Sequence, residues 1–172
     1  QGQERMNLLF SLLSKSHDRK GFSCGNTALD TYLQKQARQD AQRGFSPVIA
    51  ATEEENPERI IGYYTLAAAS VALDRLPEET RKTLPRYQDI PSILLGRLAV
   101  SNAFQRQHIG SLLVFDALRR SLRNELAWAF FLVQAKNEQA KRFYTRCMFQ
   151  SFQDTPMYLW MYRAQALKVI GS

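Results

Sequence analysis

Apolar and polar positions alternate along the chain in a way that sets out strands and helices in turn. Met6 to Leu13 is a short apolar run of strand length, followed by a polar turn, Phe22-Ser-Cys-Gly-Asn26. From Thr27 to Gln42 the period lengthens: Leu29, Leu33 and Ala37 recur every fourth residue, and Lys35, Arg38 and Gln42 share another face. That pattern predicts one amphipathic helix, opened by a weak capping box of Thr27 and Asp30, with a basic exposed face. Pro47–Thr52 and Ile60–Val71 are rich in β-branched and aromatic residues and read as two strands joined across the charged segment 53–59. Asp74–Pro91 holds three prolines and many charges, which predicts an excursion with one helical turn from Pro77. Ser92–Ser101 reads as a buried strand, 110–123 as a helix, Trp128–Ala135 as a strand, Asn137–Arg146 as a helix and Met157–Tyr162 as a last strand.

Strands first, then strand–helix–strand–helix–strand, predict an α/β (α+β) fold with a mixed central sheet of about six to seven strands flanked by helices. Gly96-Arg97 is out of character inside a buried strand, because glycine weakens strands and a charge is seldom buried there; a β-bulge accommodates both. At 172 residues with 45% hydrophobic content, the chain fits a single domain, 6–172. Residues 1–5, ahead of Met6, are expected to be a cloning remnant or a disordered end.

Charge narrows the function. Lys and Arg number 23 against 16 Asp and Glu, a formal charge of +7, which favours a polyanionic partner over a cationic substrate. Cys24 and Cys147 lack metal-ligand spacing and read as reduced thiols, so no metal is expected. No apolar run approaches the roughly 20 residues that span a bilayer, and no signal peptide opens the chain, so the expected location is the cytoplasm, with no membrane partner.

The segment from Ser92 through Gln105-Arg-Gln-His108-Ile-Gly110 into the helix beyond is the most informative. An apolar strand passes through a short basic loop into a helix N-terminus, whose unpaired amides and positive dipole end favour an anion. Neither GxGxxG nor GxxxxGK[ST] is present. The loop resembles instead the pyrophosphate loop Gln/Arg-x-x-Gly-x-Gly/Ala of the GNAT family of N-acetyltransferases, with His108 where the family usually has its first glycine. Together with Leu13 to Leu33, Leu95-Gly-Arg-Leu-Ala-Val100 and Ala140-Lys-Arg-Phe-Tyr-Thr-Arg-Cys-Met-Phe149, the chain is similar to the toxin acetyltransferases of bacterial toxin–antitoxin pairs from about Leu9 to Tyr162.

That resemblance implies an acetyltransferase fold whose bulged central strand splays from its neighbour, with acetyl-CoA as co-substrate. It implies that the backbone of Leu98, Ala99 and Val100 pairs with the pantetheine arm, and that the Val100 N–H donates to the oxyanion. Gln105, Arg106, Gln107, His108, Ile109, Gly110 and Ser111 would cradle the pyrophosphate, and Asn137 would meet the pantetheine, unless Asn137 is an ordinary N-cap. Tyr144 is the implied general acid: a phenol of pKa ~10 is protonated at neutral pH and can donate to a departing thiolate of pKa ~8.5. From periodicity alone it reads as a packed core tyrosine.

The two histidines, His17 and His108, are not near either cysteine in sequence, so direct attack by the amine is preferred to an acyl-enzyme. An α-amine, of pKa roughly 7.7–8.0 against about 10.4 for lysine, needs no strong base. Aminoacyl-tRNA combines such an amine with a polyanion. The basic residues Arg97, Arg86, Lys35 and Arg38 are the first candidates for an RNA face, drawn from a pool that also includes Arg75, Arg81, Lys82, Lys136, Lys141, Arg142 and Arg146. The resemblance further implies a homodimer, neutralised by a ribbon-helix-helix antitoxin. Two competitors are an acetyltransferase for protein N-termini or small amines and a non-catalytic coenzyme A sensor or RNA-binding module.

Overall fold

The computed structural model describes residues 7–171; the expectation for residues 1–5, and Met6 of the first strand, lie outside the described residues. Seven strands, β1 (Leu8–Leu12), β2 (Val48–Glu53), β3 (Gly62–Ala72), β4 (Asp89–Val100), β5 (Phe130–Gln134), β6 (Gln150–Ser151) and β7 (Tyr158–Tyr162), form one mixed sheet in the order β1-β2-β3-β4-β5-β7-β6. Among the described residues six helices accompany them: α1 (Thr27–Lys35), α2 (Ala37–Gln42), α3 (Glu78–Arg81), α4 (Ile109–Leu122), α5 (Glu138–Arg146) and α6 (Arg163–Gly171). The expected α/β class and strand count hold. No helix among the described residues is long and apolar enough to cross a membrane.

By contacts the described chain divides into two compact units, 7–66 with 97–116 and 67–96 with 117–171. In the first, β1 and β2 pair antiparallel, as do β2 and β3. Its core gathers Phe22, Leu33, Ala37, Val48, Ile60, Tyr63 and Ala99. Gly62 is required where β3 starts, because a Cβ there would lie 2.9 Å from the Ala99 carbonyl oxygen. In the second, β4 and β5 run parallel with Ser92–Leu95 opposite Phe130–Val133, β7 pairs antiparallel with β5, and β6 closes a hairpin with β7. Its core holds Val71, Leu76, Ile90, Phe130, Leu132, Phe152 and Trp160.

Several expectations need correction. The helix over 27–42 is two helices, broken at Gln36 (φ −123°, ψ −30°). No glycine or proline marks the break; across it the Tyr32 hydroxyl donates to Asp40 at 2.9 Å. The N-cap of α1 is Asn26, whose side chain accepts from the Leu29 N–H, and not Thr27. Asp30 instead accepts from the Cys24 N–H at 3.0 Å, holding the turn before the helix. Strand β4 starts three residues before Ser92 and carries Pro91 within it. Its buried positions change parity between Ser92 and Leu95, ahead of Gly96-Arg97, while Ser92–Leu95 pair with β5 without interruption, and Gly96 itself is exposed. Helix α6 and the two-residue β6 add elements that the pattern did not predict.

Candidate active site

Within the first unit, β4 delivers Arg97–Val100, a 3₁₀ turn at Asn102–Phe104 follows, and residues 105–108 lead into α4. The Ser101 N–H donates to the carbonyl of Ile61, the residue before β3, at 2.7 Å. Successive residues of extended backbone face opposite edges, so the Val100 N–H points to the edge of β4 away from β3.

The loop has two residues in the left-handed region, Arg106 (φ +64°) and His108 (φ +61°). The sequence signals this conformation at His108, which stands where glycine is usual, but not at Arg106. Left-handed residues in a short loop turn successive amides toward one side and make a concavity for an anion. Behind it, the first amides of the 14-residue α4, those of Ile109, Gly110 and Ser111, have no intrahelical acceptor by helix geometry. Arg106, Gln107 and His108 are exposed, and Ile109 is buried as the anchor of the turn. These residues fit a diphosphate.

Gln105 departs from the sequence expectation. Its carboxamide nitrogen is committed to protein oxygens: Cys24 O at 3.0 Å, Val100 O at 3.2 Å and Asn102 Oδ1 at 3.2 Å. Arg97 also has a partner, its guanidinium carbon lying 3.5 Å from the centroid of the Tyr32 ring. Tyr32 in turn stacks on Tyr63, whose hydroxyl donates to the Leu29 carbonyl at 2.6 Å. Burial, then the hydrogen bond to Asp40, pushes the Tyr32 phenol up to about 12, against the opposing pull of Arg97. A stacked guanidinium keeps its edge N–H groups available, so Arg97 is a pre-oriented cation. On the helices nearby in sequence, Lys35 is exposed and Arg38 half-buried.

The second unit holds Arg86, Asn137 and Tyr144. Arg86 is exposed on the segment before β4. Asn137 is the N-cap of α5, its Oδ1 accepting from the Ala140 N–H at 2.8 Å. Tyr144 is 7% exposed, with its ring against Phe143 and Phe149. Burial, followed by the neighbouring Cys147, raises its pKa well above the usual phenol value. It is therefore a protonated donor throughout the neutral range. No hydrogen-bond partner for its hydroxyl occurs among the described residues.

Other candidates resolve into structure. His17 is buried and accepts the Ser14 N–H at Nδ1 (3.0 Å), and burial lowers its pKa, so it is a neutral packing residue. Arg75, one of the basic pool, is tied to Asp154 and Thr155 at 3.2 and 2.7 Å and fastens the segment before α3. The Cys24 thiol donates to the Asn26 carbonyl at 3.6 Å, and burial raises the thiol of Cys147. Among the described residues no group of three or more His, Cys, Asp or Glu could hold a metal ion.

Comparison with known proteins gives a consistent picture. The model of the acetyltransferase (GNAT) family matches residues 9–149. A protein of Mycobacterium tuberculosis (strain ATCC 25618 / H37Rv) named tRNA-acetylating toxin is 32% identical over 161 residues, 92% of this chain and 94% of that protein. The crystal structure of a tyrosine-to-phenylalanine mutant of KacT superposes with a TM-score of 0.86 at 28% identity, covering 94% of this chain and 98% of that one. AtaT complexed with acetyl-methionyl-tRNAfMet gives a TM-score of 0.87 at 24% identity, covering 96% and 100%, a likeness of fold.

Proposed function

The chain belongs to the acetyltransferase (GNAT) family, and we propose that it moves the acetyl group of acetyl-CoA to the α-amino group of aminoacyl-tRNA, acting as a toxin that halts translation. The observation that carries the acceptor is the near full-length similarity to a tRNA-acetylating toxin. A net charge of +7 supports it, since the acceptor is a polyanion.

Acetyl-CoA supplies an activated acyl group and a thiolate leaving group. The residues of this chain do the rest. The amides of the Arg106–Ser111 loop and the guanidinium of Arg106 hold the pyrophosphate, and the backbone of Leu98, Ala99 and Val100 aligns the pantetheine arm, with Asn137 offering its remaining amide N–H groups. The neutral α-amine attacks the thioester carbonyl carbon in a ternary complex, so a C–N bond forms as the C–S bond breaks. The Val100 N–H donates to the carbonyl oxygen as it gains charge. Tyr144 gives its proton to the departing sulfur, the new amide nitrogen loses one to solvent, and solvent returns the phenol to its acid form. Arg97, Arg86, Lys35 and Arg38 bind RNA phosphates. We take residues 6–172 as one catalytic domain of a cytoplasmic enzyme that forms a homodimer and is neutralised by a ribbon-helix-helix antitoxin.

The test is acetyl transfer from labelled acetyl-CoA to charged tRNA, uncharged tRNA and a peptide mixture in parallel. Label on charged tRNA alone is expected. Label on peptide alone would overturn the acceptor and leave the enzyme class intact.

A further inference from the structure

Position 105 opens the loop motif, where the resembled pattern admits glutamine or arginine. These side chains differ in charge, length and shape; what they share is the ability to donate hydrogen bonds. The structure supplies the reason. The three atoms gathered on Gln105 Nε2 are all oxygens, and the carbonyls of Cys24 and Val100 can only accept. The third, Asn102 Oδ1, is turned toward Gln105 because the other end of that amide, Nδ2, lies 3.3 Å from Ser23 Oγ. The backbone follows the same route, with the Asn102 N–H donating to Ser23 O at 2.8 Å. Gly25 completes the contact at φ +85°, and a Cβ there would come 3.2 Å from Asn102 Oδ1.

One amide nitrogen thus joins two segments that are remote in sequence: the end of β4 at Val100 with the turn at Asn102, and the Ser23–Asn26 turn that caps α1. The loop that follows Gln105 contains two left-handed residues and is exposed, so it has little burial of its own to hold its shape. We propose that Gln105 is the positioning residue of this loop: its N–H groups fasten the loop entrance to β4 and to the α1 turn, and the requirement at this position is for a donor, not for glutamine. The inference rests on the reading of residues 106–111 as the pyrophosphate cradle. Its contribution is pre-organisation, since a loop already held in its binding shape loses less freedom when the diphosphate arrives.

The test compares the parent chain with Gln105→Met, which keeps the length and removes the donor, Gln105→Glu, which sets a carboxylate against three oxygens, and Gln105→Arg, which restores donors in a fork. Coenzyme A affinity is measured by calorimetry without any acceptor, alongside steady-state acetyl transfer and the thermal midpoint of each variant. The methionine variant is expected to weaken coenzyme A binding and raise KM for acetyl-CoA about tenfold, the equivalent of one to two hydrogen bonds, with kcat within about threefold. The glutamate variant loses more, and the arginine variant returns to within about twofold of the parent. Should glutamate prevent folding, methionine and arginine still decide. Binding unchanged in Gln105→Met, or equal losses in the arginine and methionine variants, would overturn the proposal. A parent chain that does not bind coenzyme A would overturn the cradle reading beneath it, whereas binding without transfer to tRNA would touch only the acceptor.

Discussion

His108 and Arg106 hold the loop in a conformation that ordinary L-residues adopt at a cost of about 1–2 kcal/mol, of which glycine would be free. Glycine returns roughly 0.5–1 kcal/mol of that gain through the entropy of the unfolded chain. His108→Gly should therefore raise stability in urea denaturation by about 0.5 kcal/mol, and His108→Val, β-branched at a positive φ, should lower it by more than about 1 kcal/mol. A destabilised glycine variant would show that the imidazole makes a contact worth more than the strain. Tyr144→Phe keeps the packing of the ring and removes its proton: kcat should fall about 10²-fold while coenzyme A affinity stays at the parental value, and an unchanged kcat would remove Tyr144 from the chemistry. The pH dependence has a definite sign. The folded-state pKa of Tyr32 is raised to about 12, and that of Tyr144 is raised further, so both contribute stability below the ordinary phenol value of about 10 and lose it as pH rises through the folded values. Tyrosinate absorbance should accordingly show Tyr32, Tyr144 and Tyr63, which burial also raises, ionising late, together with alkaline unfolding.

At the scale of elements, strands and long helices were legible because their periods are strong: β2, β3, α4, β5, α5 and β7 fall within a few residues of expectation. What was hidden depends on contacts between distant residues. The Gln36 break carries no glycine or proline, and its partner in space, the stacked set of Arg97, Tyr32 and Tyr63, joins residues far apart in sequence. The hydrogen bonds of Gln105 to Cys24 are hidden for the same reason, at a separation of 81 residues. Helix α6 buries only Ala166 and so has no apolar stripe to read; Arg163 anchors it through the Ala129 and Trp128 carbonyls and the Trp128 ring. The cap of α1 is also specific. Asn26→Ala should cost about 1 kcal/mol by thermal denaturation, and Thr27→Ala much less, the reverse of the order that the sequence capping box implies.

For the whole molecule, the motif order pointed to one enzyme class and the charge of +7 to a polyanionic partner, and the family match over residues 9–149 agrees with the class. The basic residues divide in the structure as they could not in the sequence, Arg75 being held by Asp154 while Lys35 and Arg86 stand exposed. If Lys35 and Arg86 bind RNA phosphates, tRNA affinity should fall steeply with salt, and Lys35→Ala or Arg86→Ala should each reduce the slope of log K against log salt by about one. A slope that neither variant changes would place the RNA face elsewhere. The central claim concerns one atom, the α-nitrogen of the amino acid at the 3′ end of a charged tRNA. It is tested most directly by nuclease digestion of charged tRNA after incubation with the protein and acetyl-CoA, followed by mass spectrometry of the released aminoacyl-adenosine. N-acetyl-aminoacyl-adenosine with the acetyl group on the α-amine is expected; unmodified aminoacyl-adenosine from a protein that acetylates another amine under the same conditions would rule out aminoacyl-tRNA as the acceptor.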